Sequence, residues 1–219
     1  MIISIDGPAA SGKSTTARLL AKKLDFIHLN TGLYYRAITY IFIKNNLFDS
    51  NQSTIDDFFS TNNIELKGED LNQVFWNEIN ISSFLFENII NEKIHITSNN
   101  VMIREKLVSM QRLIGHANNI VCEGRDIGTV VFPNADFKFF LVADLESRIQ
   151  RRFNEQKLKN PLLDIKDVKN ALTSRDYNDS TRINSPLIKP VDSVEIDTTK
   201  MTIEMQVNYI YNLIKQEQN

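Results

Sequence analysis

The chain opens on a short apolar-rich run, Ile2–Asp6, that stops at Gly7-Pro8, the pattern of a buried strand ended by a turn. Ala17, Leu20, Ala21 and Leu24 then recur at helical spacing, giving one apolar helix face. Phe26–Leu29 reads as a second strand, and Thr31-Gly32 leads into another helical stretch through about Asn46. Strand, helix, strand, helix in that order predicts a parallel sheet covered by helices on both faces. Ile120–Cys122, Phe137–Val142 and Ser193–Ile196 are further short strand candidates, and Ile203, Val207, Ile210, Tyr211 and Ile214 mark a closing helix. Residues 50–98 have a different texture. Ile64–Leu66 and Val74–Trp76 flank a polar turn, Lys67-Gly68-Glu69-Asp70, which predicts a small antiparallel hairpin inserted between core elements.

Composition narrows the class without choosing a function. With 219 residues, 42% of them hydrophobic and 24% charged, the chain is long enough for one substantial core carrying an insertion. The net charge of −2 excludes a generally basic nucleic-acid binder. No apolar run approaches the roughly 18 residues that would span a bilayer, so no membrane partner is expected. The first residues lack the basic start and long apolar stretch of a signal peptide. The single cysteine, Cys122, has no partner for an internal disulfide, and the expectation is a reducing cytoplasm. Net charge conceals an asymmetry. Residues 45–100 hold nine acidic and two basic side chains, whereas residues 146–190 hold ten basic and six acidic ones. A local basic cluster in a mildly acidic chain suits a pocket for a small polyanion better than a groove for a polymer.

The candidate chemistry begins at Gly7-Pro8-Ala9-Ala10-Ser11-Gly12-Lys13-Ser14, a full match to G-x-x-x-x-G-K-[ST], followed by Thr15. The glycines let the backbone turn so that successive N–H groups face inward around phosphates, and the following helix adds its positive end. Lys13 can reach the β- and γ-phosphates of ATP, and the Ser14 hydroxyl can ligate Mg²⁺. A GTPase would also need D-x-x-G and N-K-x-D motifs, and neither occurs. What remains are kinases for small acceptors.

Arginines mark a second site. Arg36 follows the second strand, and Arg125-Asp126 lies just after the third, at carboxyl ends where open α/β sheets bind ligands. Arg175, Asp179 and Arg182 are spaced by four and three, which predicts one helix face. Gly7–Thr15, Thr31-Gly32-Leu33-Tyr34-Tyr35-Arg36, the eleven-residue stretch Glu123–Pro133, and Arg175–Arg182 together resemble the bacterial cytidylate kinases, over nearly the whole chain. The resemblance implies an α/β P-loop kinase fold: a five-stranded parallel sheet flanked by helices, a monophosphate-binding insertion and a short lid. It divides this single domain into a core of residues 1–40, 117–147 and 190–219, a monophosphate-binding region of about 41–116, and a lid of about 148–189. It implies phosphoryl transfer from ATP, with Mg²⁺, to CMP or dCMP, by a monomer in pyrimidine metabolism. Carried over by motif, Thr31, Arg36 and Arg125 would hold the CMP phosphate. Ser98, Arg104 and Asp126 would read the cytosine, and Arg175, Asp179 and Arg182 would contact ribose and phosphates. Arg148, Arg151 and Arg152 would stand at the lid edge. Lys13, Arg125, Arg175 and Arg182 would act on the transferring group, with Glu123 holding the metal's water shell.

Asp126 can accept from cytosine's exocyclic amine and would face uracil's oxygen with like polarity, which predicts a preference for CMP over UMP. The chain departs from the family pattern at Asn30, commonly aspartate, at Glu123, commonly aspartate, and in a stretch between Ser98 and Arg104 about three residues shorter than usual. The rival readings are a kinase for another acceptor, such as another nucleotide or shikimate, and a regulator that binds ATP without transferring phosphate. His28, His95 and His116 lack metal-ligand spacing and read as ordinary structural residues, and Cys122 reads as a small core residue.

Overall fold

The structure is a computed structural model describing residues 1–217 except 69 and 159. The predicted turn residue Glu69, and the last two residues of the expected core, lie outside the described residues. The first strand, β1 (Ile2–Asp6), runs through the centre of a five-stranded parallel sheet. It is flanked by β6 (Ile120–Gly124) and β7 (Phe137–Val142), with β2 (Ile27–Asn30) and β8 (Val194–Asp197) at the two edges. The register puts Asp6 beside Gly124 and Phe140, so β1 and β6 end level at one rim and β7 runs two residues further. Ile3 and Ile5 are fully buried, as a strand covered on both faces requires.

Helices supply the two covers. α1 (Lys13–Leu24) and α8 (Ile203–Glu217) close one face, where Ala17, Leu20, Ala21, Val207, Ile210 and Ile214 pack on Ile3, Ile5 and Phe139. A buried leucine such as Leu20 contributes roughly 1.5–3 kcal/mol by leaving water. α2 (Gly32–Asn45) and α5 (Val101–Ala117) cover the other face with a larger cluster that includes Ile38, Phe42 and Leu107. Between them the chain adds α3 (Gln52–Thr61), a small antiparallel sheet of β3 (Ile64–Lys67), β4 (Gln73–Trp76) and β5 (Ile79–Asn80), and α4 (Asn88–Asn99). The hairpin is where the two short runs flanking a polar turn placed it, while the third strand, two residues long, is too short to leave a pattern. α6 (Leu145–Lys157) and α7 (Ile165–Thr181) complete the fold, their N-termini capped by Asp144 and Asp164.

The sheet order β2-β6-β1-β7-β8 has its reversal beside β1. The connection from β1 leads past β6 to β2, while the one from β6 crosses back over β1 to β7. Their divergence opens a crevice at the carboxyl rim, the place where such sheets bind ligands.

Candidate functional site

The loop leaving β1 wraps the crevice. Gly7 has φ 149°, and a Cβ there would sit 2.2 Å from the Leu141 carbonyl oxygen, so β7 admits only glycine beside it. Gly12 has φ 95°, and a Cβ there would meet the Gln206 side chain at 2.9 Å. The same Gln206 accepts a hydrogen bond from Thr16 at 2.7 Å, and the Thr198 hydroxyl lies 2.9 Å from the Ser11 carbonyl oxygen. The C-terminal segment thus supports the loop from behind, a role that no motif signals.

Lys13 folds back to donate to the Pro8 carbonyl at 2.9 Å. Burial, reinforced by the charge of Arg125 and opposed by Glu123, pushes its ammonium well below the ordinary lysine value. The Ser14 hydroxyl donates to Glu123 Oε2 at 2.6 Å. Glu123 is buried; that burial opposes ionisation, but His28, Lys13 and Ser14 outweigh it and hold the carboxyl below its usual value. At 3.6 Å from Oε1, His28 Nε2 is an electrostatic neighbour outside hydrogen-bonding reach, and Oε1 and Nε2 both lack a hydrogen-bond partner among the described residues. An orphaned carboxylate oxygen beside a serine hydroxyl suits the water shell of a hard divalent cation. No group of three or more His, Cys, Asp or Glu residues gathers as a metal cage among the described residues, so such an ion would take its other ligands from phosphate and water. His28, read from the sequence as an ordinary structural residue, stands beside this carboxylate. Its signal was only its place on the strand beside the loop. With Ser14, Thr15, Arg18, Asn30 and Phe86 it lines a cleft of about 500 Å³.

Across the crevice the arginines converge. Arg125 donates through Nε to Asp179 Oδ2 at 2.7 Å, and Arg175 Nε stands 3.9 Å from the same oxygen. Arg175 is pushed down to about 9 by burial and then by the charges of Arg125, Arg36 and Arg152, although 37% of its side chain remains exposed. Arg36, held by the Leu85 carbonyl at 2.9 Å and stacked on Phe86, is pushed down to about 10 by burial and by Arg152 and Arg125. Arg152, paired with Glu155 at 2.9 Å, is near enough for its charge to act on both Arg36 and Arg175. Its two companions are engaged elsewhere. Arg148 bonds Asp176 and the Ala9 carbonyl, tying α6 and α7 to the phosphate loop, and Arg151 bonds the Thr198 carbonyl.

A second buried cluster surrounds Asp126. Arg104 reaches one carboxylate oxygen through Nη2 and the Ser98 carbonyl through Nη1, while Arg182 Nη2 stands 3.3 Å from the other oxygen. Arg104 and Asp126 are brought together with the Ser98 carbonyl, across a tight link from α4 to α5 in which Asn100 caps α5, whereas the Ser98 hydroxyl donates to the His95 carbonyl at 3.3 Å. One geometric expectation fails. α7 ends at Thr181, so Arg182 is not on its face with Arg175 and Asp179. Its backbone is extended, Nε donates to the Ser185 carbonyl at 2.5 Å, and the guanidinium turns to Asp126. Thr31 also differs in setting. Its hydroxyl donates to the Glu123 carbonyl at 2.8 Å and would have to leave that bond to donate to a phosphate. Asn30 accepts from the Gly32 N–H at 3.0 Å, closing a local turn with its amide oxygen, which needs no charge.

A family model described as cytidylate kinase matches residues 3–216. A cytidylate kinase from Fusobacterium nucleatum is 41% identical over 215 residues, covering 98% of this chain and 97% of that protein. One from Chloroherpeton thalassium is 42% identical over 220 residues, covering 97% and 92%. Among solved structures, an uncharacterized protein from Eubacterium ventriosum superposes with a TM-score of 0.54 at 13% identity over 98% of each chain, a likeness of fold alone.

Proposed function

Since the chain belongs to the cytidylate kinase family, we propose that it transfers the γ-phosphoryl group of ATP to CMP or dCMP, giving ADP and CDP or dCDP. The observation that carries this reading is the concentration of positive charge around one crevice. Lys13, Arg36 and Arg175 have their proton affinity lowered first by burial and then by neighbouring cations, Arg125 and Arg152 among them, so the crevice suits anions. Two nucleotides meeting phosphate to phosphate bring them.

A CMP phosphate is largely ionised at neutral pH, so its attacking oxygen needs no general base. That oxygen bonds the γ-phosphorus while the bond to ADP breaks, and the arginines offset the repulsion between the two anions. The loop from Gly7 to Thr15 wraps the triphosphate, and Lys13 exchanges the Pro8 carbonyl for phosphate oxygens. Ser14, with Glu123 acting through water, would hold Mg²⁺, whose contribution when bound is to neutralise charge on the β- and γ-phosphates. Arg36 and Arg125, with Thr31 beside them, hold the acceptor phosphate, and Arg175, Asp179 and Arg182 orient it. Arg125 is already aligned by Asp179, so its planar fork enters the reaction with little freedom left to lose. Asp126 accepts from the cytosine amine, supported by Arg104 and Ser98. Residues of about 41–116 form the acceptor side, and those of about 148–189 close over the phosphates and keep water from the γ-phosphorus. The enzyme acts as a monomer in the cytoplasm. Steady-state ADP release with ATP and Mg²⁺ tests this. It should be fast with CMP or dCMP and near the acceptor-free rate with AMP. A rate independent of any nucleoside monophosphate would overturn it.

A further inference from the structure

The segment carrying Arg125 and Asp126 continues into a single π-helical turn, Ile127–Val131, in which Val131 N–H reaches back to the Asp126 carbonyl at 3.1 Å and Phe132 N–H to the Ile127 carbonyl at 2.7 Å. A turn this short leaves its first N–H groups and last carbonyls without internal partners, and wide π geometry has little rigidity of its own. Both orphaned ends are taken up by charged side chains from elsewhere. Asp6, at the end of β1, accepts from Ile127 N–H at 2.9 Å with one oxygen and from Gly128 N–H at 2.7 Å with the other. Arg112, on α5, donates through Nε to the Val131 carbonyl at 2.9 Å and through Nη2 to the Val130 carbonyl at 2.7 Å.

We infer that Asp6 and Arg112 are a pair of positioning residues that clamp the two ends of this turn and so fix Arg125 and Asp126 toward the acceptor nucleotide. The inference rests on the acceptor reading given above. Three features argue for a positioning role over generic stabilisation. The clamped residues adjoin the site directly, because the Asp126 carbonyl is itself the first acceptor of the turn. The two grips are bidentate, so each fixes orientation as well as distance. α5 holds the segment twice: Arg104 grips the Asp126 side chain, and Arg112, two helical turns on, grips the far end of the turn. At Gly115, on the same helix, a Cβ would meet the Phe132 ring at 2.5 Å, so helix and turn are already in van der Waals contact. Loosening either grip lets the Asp126 carboxylate swing while leaving the phosphate loop's own supports, Gln206 and Thr198, in place. A misplacement near 1 Å at a reacting or reading group costs on the order of 10²-fold in rate.

The test uses the full-length protein and two variants. Arg112 is on the surface, so Arg112→Ala should fold, and Asp6→Asn keeps one acceptor where two are needed. For Arg112→Ala, the KM for CMP should rise about tenfold and the preference for CMP over UMP should fall about tenfold, with the KM for ATP within about twofold. Arg112→Lys, which can still bond one carbonyl, should recover part of the loss. Amide hydrogen exchange at residues 127–132 should accelerate at least tenfold in both variants, relative to amides of β1. Unchanged exchange there, or equal rises in the two KM values, overturns the clamp. If the wild-type protein does not turn over CMP at all, the acceptor reading fails, and the exchange data still decide whether the clamp exists.

Discussion

Replacing Asp126 with asparagine isolates the most demanding electrostatic arrangement in the molecule. The side chain is 7% exposed, and both guanidiniums facing it, Arg104 and Arg182, are buried as well. Asparagine keeps the volume and removes the charge, so the two arginines lose the carboxylate between them and are left near one another in a medium that solvates them poorly. Removing one partner of a buried ion pair costs about 3–5 kcal/mol, far more than the pair contributes relative to an apolar substitute. For a chain of this length each kcal/mol moves the melting temperature by about 2–4 °C, so the ligand-free variant should melt on the order of 10 °C lower. A double-mutant cycle with Arg104→Met separates this effect from lost packing. The coupling energy should be about 2–3 kcal/mol, because the second substitution removes the charge the first one stranded. Base choice should change in parallel. The amide can turn a donor toward the base, which suits uracil's oxygen and not cytosine's amine, so the CMP-to-UMP ratio of kcat/KM should drop by about 10²-fold. A melting shift below about 2 °C together with a coupling under about 0.5 kcal/mol would refute the reasoning, because Asp126 would then be neither charge anchor nor base reader.

Lys13→Met should lower kcat on the order of 10²–10³-fold. It should also raise the melting temperature of the ligand-free protein, because the buried ammonium, held well below its ordinary value, costs stability while charged; scanning calorimetry checks both the rise and the loss of stabilisation by ATP. Glu123→Gln should weaken Mg²⁺ binding, read as a higher apparent Mg²⁺ constant with an unchanged KM for CMP. Asp6 gives a pH signature. Burial pushes its carboxyl up from 3.8 to about 6, with Asp126 reinforcing that shift and the Ile127 and Gly128 N–H groups and Lys13 opposing it; the buried Cys122 thiol is the other titratable neighbour. A raised carboxyl contributes stability that is complete below about pH 4 and is lost as pH rises through about 6. Relative to Asp6→Asn, the wild type should therefore lose up to about 3 kcal/mol between pH 4 and 7, and parallel unfolding curves would contradict this.

The parts of the site legible in the sequence were those written as local patterns. The phosphate loop needs its glycines in a fixed order, and the strands β1 and β7 stand where the apolar runs put them because buried parallel strands leave no other signature. Convergence of distant arginines was legible only through strand-end position and family likeness. Helix periodicity placed Arg182 on a face with Arg175, but periodicity carries no information on where a helix stops. The Asp126 carboxylate and the Ser185 carbonyl decide that guanidinium's direction. His28, Asp6, Arg112, Gln206 and Thr198 went unread for one reason. Each acts on a residue far along the chain, His28 as an electrostatic neighbour and the others through hydrogen bonds, and single side chains of that kind leave no spacing to recognise.

The central claim is that this crevice joins ATP to a cytidine monophosphate, and phosphorus NMR of the protein with ATP, Mg²⁺ and an equimolar mixture of CMP and UMP tests it most directly. CDP should accumulate in step with ADP and at least about 10²-fold ahead of UDP. Equal accumulation of CDP and UDP, or ADP and free phosphate without either diphosphate, would contradict it.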